Sequence, residues 1–254
     1  MFQKLRKSKK LLLVAMACAT FAIAGCGSDT TKNTADNGNA VTWSETFDGT
    51  KTDFAVKSAP THAVSMSQAT TEMMLQLGLE DKMAGTAFKE EEIYPPLQAA
   101  YDKVKVLSDK WPSYEVFMSV KPDFATGWPD SFSKRAIPAD KMIAQKVNIW
   151  LPESMLSTKA DLETNFNDMI KLGEIFGVKP KAEEWVASQR KTLAAIQAKL
   201  KDLPRKRVFI YDSEDGQPFT AFEGYTTNIL KLIGADNVMS GLGVDKTWAK
   251  GSWE

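Results

Sequence analysis

The chain carries few residues suited to covalent or metal chemistry: its 254 residues hold two cysteines and one histidine, beside 32 acidic and 32 basic side chains. Cys18 lies inside an apolar run and Cys26 at its end, so a chain cut before Cys26 and modified there keeps no free thiol and no disulfide. His62 is the one imidazole available as a general base, and its place before an apolar run reads as the edge of a strand. There is no Gly-x-Ser-x-Gly elbow, no His-Glu-x-x-His and no glycine-rich phosphate loop. Nucleophilic, zinc and nucleotide chemistry therefore lack their usual residues, and the chain reads as a non-enzyme with no metal ligands and no cofactor. Two alternatives stay open: an envelope hydrolase working through carboxylates alone, or a binder of naked zinc or manganese. The latter would need several histidines with a carboxylate.

Chemistry of another kind is concentrated at the N-terminus. Lys4, Arg6, Lys7, Lys9 and Lys10 precede an apolar run from Leu11 to Gly25. Its 15 residues fall short of the ~20 that span a bilayer, so residues 1–25 read as a signal peptide. The run ends in Ile23-Ala24-Gly25-Cys26, which looks like a bacterial lipobox with Cys26 as the lipidated residue. Residues 26–41 are small and polar and read as a flexible tether. The expected place is the cell envelope, lipid-anchored on the extracytoplasmic side. Removing residues 1–25 leaves 27 basic against 32 acidic residues, a net charge of −5 that disfavours nucleic acid as a partner.

The rest must position whatever the protein binds. After a hairpin over 41–56, short strand-like runs alternate with helix-like ones. His62–Met66, Lys82–Ala87, Lys103–Leu107, Asp123–Gly127 and Val147–Leu151 read as strands; Gln68–Leu77, Ser113–Ser119 and Ser133–Lys146 read as helices, the last interrupted at Pro138. Such alternation implies a mostly parallel sheet covered by helices. Asp161–Phe176 and then Lys181–Leu200 read as helices, the second about 30 Å long and able to bridge two lobes. Arg207–Tyr211 reads as a strand and Thr226–Ile233 as a helix, opening a second α/β unit. The expected fold class is α/β, two Rossmann-like lobes joined by one long rigid helix. The lobes take residues 42–178 and 204–254, with 179–203 between them, and the second lobe is expected to be incomplete in this chain.

Several strings resemble one family, the helical-backbone substrate-binding proteins of ABC importers for iron-siderophores, haem and vitamin B12. Ala63-Val64-Ser65-Met66-Ser67, Ala69-Thr70-Thr71-Glu72 and Leu77-Gly78-Leu79-Glu80-Asp81-Lys82 resemble its opening strand and helix. Tyr94-Pro95-Pro96-Leu97 resembles its short loop, and Lys121-Pro122-Asp123 the triplet before a strand. Leu172-Gly173-Glu174-Ile175-Phe176-Gly177 with Ala182-Glu183, then Leu232-Ile233-Gly234-Ala235-Asp236-Asn237-Val238, continue the match in order.

The resemblance implies an importer component that captures a metal chelate, an iron-siderophore or a corrinoid, and hands it to a permease driven by a partner ATPase. It implies ligand contacts at Phe88, Trp111, Phe219 and Trp248, with Trp128 at the rim of the cleft. Large rigid aromatic faces suit a bulky, planar, partly apolar ligand at low entropic cost. Phe88 departs from the vitamin-binding members, which carry Tyr there. The resemblance also implies permease docking through one glutamate on each lobe, Glu115 and Glu254. Two charge-assisted contacts far apart fix both position and orientation.

Overall fold

The computed structural model describes residues 40–243 and 245–253. The signal peptide, all but the end of the tether, the lipidation residue Cys26 and the docking residue Glu254 lie outside the described residues. The elements run β1 (Val41–Phe47), β2 (Thr50–Val56), β3 (Ala63–Ser65), α1 (Gln68–Gln76), β4 (Met83–Ala87), α2 (Gln98–Tyr101), β5 (Val106–Ser108), α3 (Tyr114–Ser119), β6 (Phe124–Thr126), α4 (Ala139–Ile143) and β7 (Asn148–Trp150). They continue with α5 (Leu162–Ile175), α6 (Lys179–Leu200), β8 (Lys206–Val208), β9 (Tyr211–Glu214), β10 (Pro218–Ala221), α7 (Tyr225–Leu232), β11 (Ala235–Asn237) and β12 (Trp248–Lys250).

The central layer is a five-stranded sheet of order β5-β4-β3-β6-β7, parallel throughout. Its strands are nearly continuous apolar or small runs, as two covered faces require. Helix starts follow capping chemistry. Ser67 and Ser113 accept the N–H of the third helical residue of α1 and α3, and Asp161 forms a reciprocal pair with Thr164 at the head of α5. Gly78 ends the α1 segment at φ 65°, a conformation that costs glycine nothing. One apolar cluster centred on Phe124, Phe166, Met74 and Leu172 fills one side of the sheet, and another centred on Phe117, Met142, Ile149 and Met66 fills the other. The β1–β2 hairpin lies against β7, where Trp43 stacks on Phe54 and donates its indole N–H to the Ile149 carbonyl at 2.8 Å.

Four elements differ from the sequence expectation, the first being β5, which starts at Val106 rather than Lys103. Only Ala139–Ile143 of the expected 133–146 helix forms. Pro138 disfavours helical backbone at Ile137, and Ser133 serves its neighbours instead: its hydroxyl donates to the Asp130 carbonyl and accepts the Arg135 N–H. The long helix begins at Lys179 rather than Lys181, because Pro180 sits in a first turn where a missing N–H costs no bond. The expected 207–211 strand is divided. β8 pairs parallel with β11, whereas β9 turns away to pair antiparallel with β10 across a turn holding Gly216 at φ 71°. β12 adds to the other edge of β10, giving a three-stranded sheet.

After α6 the chain packs back on the loop that follows β7. The Asn228 side chain donates to the Ala160 carbonyl at 2.8 Å, and a Cβ placed on Gly224 would stand 3.0 Å from the Ser157 carbonyl oxygen. Among the described residues no helix is long and apolar enough to cross a membrane.

Candidate ligand site

In a parallel sheet, ligands bind beyond the carboxyl ends of the strands, where the strand order reverses. Here the reversal falls between β3 and β6. Met66, the residue after β3, bonds its N–H to the Thr126 carbonyl at 2.7 Å. Its own carbonyl accepts the Trp111 indole N–H at 3.1 Å and the Ser131 hydroxyl at 3.3 Å. The close approach depends on Gly127, whose added Cβ would lie 3.0 Å from the Met66 Cβ. This carbonyl therefore fixes Trp111 over the switch point.

Phe88 follows β4 directly and lies face to face with Trp111, centroids 4.7 Å apart and planes 23° apart. Its φ of 59° is a left-handed conformation that a side chain with a Cβ rarely adopts, so the surrounding loop has to hold it there. The Lys110 ammonium lies 5.1 Å from the Phe88 centroid. Trp128, just past β6, is half-buried and donates its indole N–H to Glu90 Oε2 at 3.3 Å. Phe88, Trp111 and Trp128 thus stand together at one end of the sheet. His62 lies at the opposite end, its backbone N–H bonded to Asp123 Oδ1 at 3.0 Å.

Phe219 and Trp248 form a second stacked pair, with centroids 6.0 Å apart and planes 23° apart, on neighbouring strands β10 and β12. Trp248 sits opposite Ala221, two residues along β10 from Phe219, and so projects from the same face. Sequence reasoning missed an adjoining aromatic group in which Trp253 contacts Phe209 and Tyr211 at 5.7 and 6.3 Å. Among the described residues no ring of the first pair contacts a ring of the second.

Glu115 is exposed near the start of α3. Its carboxyl is held below the usual range, first by its own backbone N–H and then by the Ser113 hydroxyl. Two acids behave in the opposite way. Burial pushes Glu45 up to about 7 although the Leu151 N–H donates to it at 3.0 Å. Asp168 is likewise raised by burial, and accepts the N–H groups of Glu153 and Ser154, both at 2.9 Å. Among the described residues no three His, Cys, Asp or Glu side chains converge as a metal site.

Among the concavities of the described residues, one of about 320 Å³ lies at residues 55–61 with Asp123 and Asn148, and one of about 650 Å³ lies between α1, α5 and α6 beside Trp185. Neither is lined by the five expected aromatic contacts. Those aromatics lie on one another or on neighbouring loops.

The sequence profile of the periplasmic binding protein family matches residues 64–254. The chain is 26% identical over 240 residues to an uncharacterised ABC transporter substrate-binding lipoprotein of Bacillus subtilis (strain 168), covering 91% of this chain and 73% of that one. It is 25% identical over 190 residues to a vitamin B12-binding protein of Vibrio vulnificus (strain YJ016), covering 74% of this chain and 65% of that one. A crystal structure of a periplasmic binding protein from Veillonella parvula DSM 2008 is 96% identical, with a TM-score of 0.83 over 85% of this chain and 73% of that chain. An ABC-type Fe3+-hydroxamate transport system protein from Saccharomonospora viridis DSM 43017 shares the fold, at a TM-score of 0.66 and 20% identity over 83% of this chain and 74% of that one.

Proposed function

Since the chain belongs to the periplasmic binding protein family, we propose that it is the extracytoplasmic solute-binding lipoprotein of an ABC importer. It captures a metal chelate, an iron-siderophore or a corrinoid, and delivers it to the permease without covalent chemistry of its own. The observation that carries this reading is the pair of stacked aromatic platforms, Phe88 on Trp111 beside the switch point and Phe219 on Trp248 after the long helix. Their faces offer wide apolar contact with little rotamer entropy to lose, as a bulky planar chelate requires. Trp128 stands at the rim. Glu115, exposed and ionised, and Glu254 dock on cations of the permease, and Cys26 carries the lipid that keeps the protein at the membrane. The names of the Bacillus and Vibrio relatives support the transport class and its ligand chemistry.

Calorimetric titration tests the reading, with cyanocobalamin, a ferric hydroxamate, a ferric catecholate, haem and free divalent metals as the panel. Saturable heat with one chelate is expected, weakened about tenfold or more in Trp111→Ala and in Trp248→Ala, as for central aromatic contacts. A folded protein silent to every chelate would overturn the assignment. Saturation by a free metal ion alone would replace it with the metal-ion reading.

A further inference from the structure

The loop from Phe88 to Tyr94 carries the ring that lies on Trp111 and the carboxylate that holds Trp128, yet most of its backbone is fixed from outside. Two side chains of α1 provide the hold. Gln68 Oε1 accepts the N–H of Glu90 at 2.9 Å and of Glu91 at 2.7 Å. Gln68 Nε2 donates to the Glu92 carbonyl at 3.2 Å and to Glu72 Oε1 at 2.9 Å. Glu72 Oε1 accepts in turn the Tyr94 N–H at 3.2 Å.

The chemistry of this clamp is fully used. A primary amide has two acceptor sites on oxygen and two N–H donors, and all four are engaged here. Its orientation is also determined, since a flipped amide would set donors against the two loop N–H groups. Gln68 and Glu72 stand four residues apart and so share one helix face, directed at the loop. Ser67, the N-cap of α1, fixes the first turn on which Gln68 sits. The loop needs such a hold because Phe88 is in the left-handed region, and a free chain would relax to negative φ and carry the ring off Trp111.

We infer that Gln68 is a positioning residue of the ligand platform, fixing the 88–94 loop so that Phe88 rests on Trp111 and Glu90 meets the Trp128 indole. The inference rests on the ligand-binding reading above for its functional meaning, although the hold itself is a property of the unliganded protein.

Three forms of the protein decide it: wild type, Gln68→Ala, and the exchange Gln68→Glu with Glu72→Gln. The exchange keeps an acceptor for the Glu90 and Glu91 amides and a donor between the two helix positions, while giving up the bonds to the Glu92 carbonyl and the Tyr94 N–H. In Gln68→Ala, hydrogen exchange at the Glu90 and Glu91 amides is expected to accelerate about tenfold or more, with the amides of α5 unchanged. The double exchange should return part of the protection at Glu90 and Glu91, whose acceptor it keeps. Wild-type rates at Glu90 and Glu91 in Gln68→Ala would overturn the inference, and so would acceleration spread equally through α5, which is loss of global stability. In parallel, the three forms are titrated with cyanocobalamin, the ferric hydroxamate, the ferric catecholate and haem. A chelate that binds wild type should bind Gln68→Ala about tenfold more weakly and recover in part with the double exchange; unchanged affinity would sever the clamp from ligand binding. If none of these chelates binds wild type, the proposed function fails, and the exchange rates alone judge the role of Gln68.

Discussion

The two aromatic platforms rest on different foundations. Phe88 and Trp111 stand over a five-stranded parallel sheet with apolar clusters on both faces, and every residue of those clusters precedes α6 or lies in its first half. Phe219 and Trp248 stand on a three-stranded antiparallel sheet, and the buried apolar residues described after α6 are few: Pro218, Ala221, Phe222, Ala235 and Met239. Polar bonds do the work there. The Asn237 side chain donates to the Ala221 carbonyl at 2.8 Å and to the Thr227 hydroxyl at 2.6 Å, and accepts the Met239 N–H at 3.1 Å. Glu223 adds the Gly241 N–H at 2.7 Å. A buried aromatic core is rigid because every neighbour would have to move at once. A region held by a handful of directional bonds yields where one bond is removed. The comparison teaches that the first platform has its rings and loop hydrogen-bonded onto a packed core, whereas the second stands on a region that itself relies on hydrogen bonds.

That contrast can be broken by experiment. The largest effect is expected from Phe124→Ala, which empties the centre of the first region, where the ring contacts Trp43 and Phe176 edge-on. About 3–5 kcal/mol of stability should be lost in denaturant unfolding. Asn237→Ala comes next: it orphans a buried N–H and buried acceptors, at about 1–3 kcal/mol. Hydrogen exchange should rise across residues 218–240 and leave β3 and β6 protected; equal loosening of both regions would refute the division.

Glu45→Gln sharpens the description of the first region by pH. The Glu45 carboxyl titrates at about 7 in the folded protein against an ordinary value of 4.5, so folding favours the protonated form. Stability is then full below the ordinary value, falls as pH rises through the window from 4.5 to about 7, and stays low above it. The variant should gain on the order of 2 kcal/mol over wild type at pH 8, with the gap closing by pH 5. A constant gap across that range would show that Glu45 is not buried as described. The smallest effect on the fold is expected from Glu115→Gln, since the side chain is exposed. Thermal midpoint and chelate affinity should match wild type while permease-dependent uptake falls, and normal uptake would remove Glu115 from docking.

Much of the first region is legible from local signals. Ser67, Ser113 and Asp161 announce three helices because an N-cap needs only its own next turn. The apolar runs before and after them announce buried parallel strands. Ser133–Pro138 misleads for a related reason. Its composition tolerates helix, but the serine and proline satisfy the backbone locally and stop it. The candidate site is legible only as a set of residue types. Phe88, Trp111, Trp128, Phe219 and Trp248 are named by the family resemblance, yet nothing in the chain says that the first two stack or that Trp128 reaches Glu90. Gln68 gives no sign at all, since a glutamine opening a helix is ordinary until a loop arrives against it.

The sequence by itself determined the family, the parallel α/β order of the first region, the capped starts of α1, α3 and α5 and the shortage of residues for nucleophilic or metal chemistry. These depend on periodicity, capping and composition, which act over a few residues. Only the tertiary structure decided which rings meet, that the strand after Pro204 divides between two sheets, and that Glu45 is buried against Leu151, 106 residues away. Such pairings follow from strand register and from how loops close over a core. Residues distant in the chain settle them together, and no short stretch records the outcome.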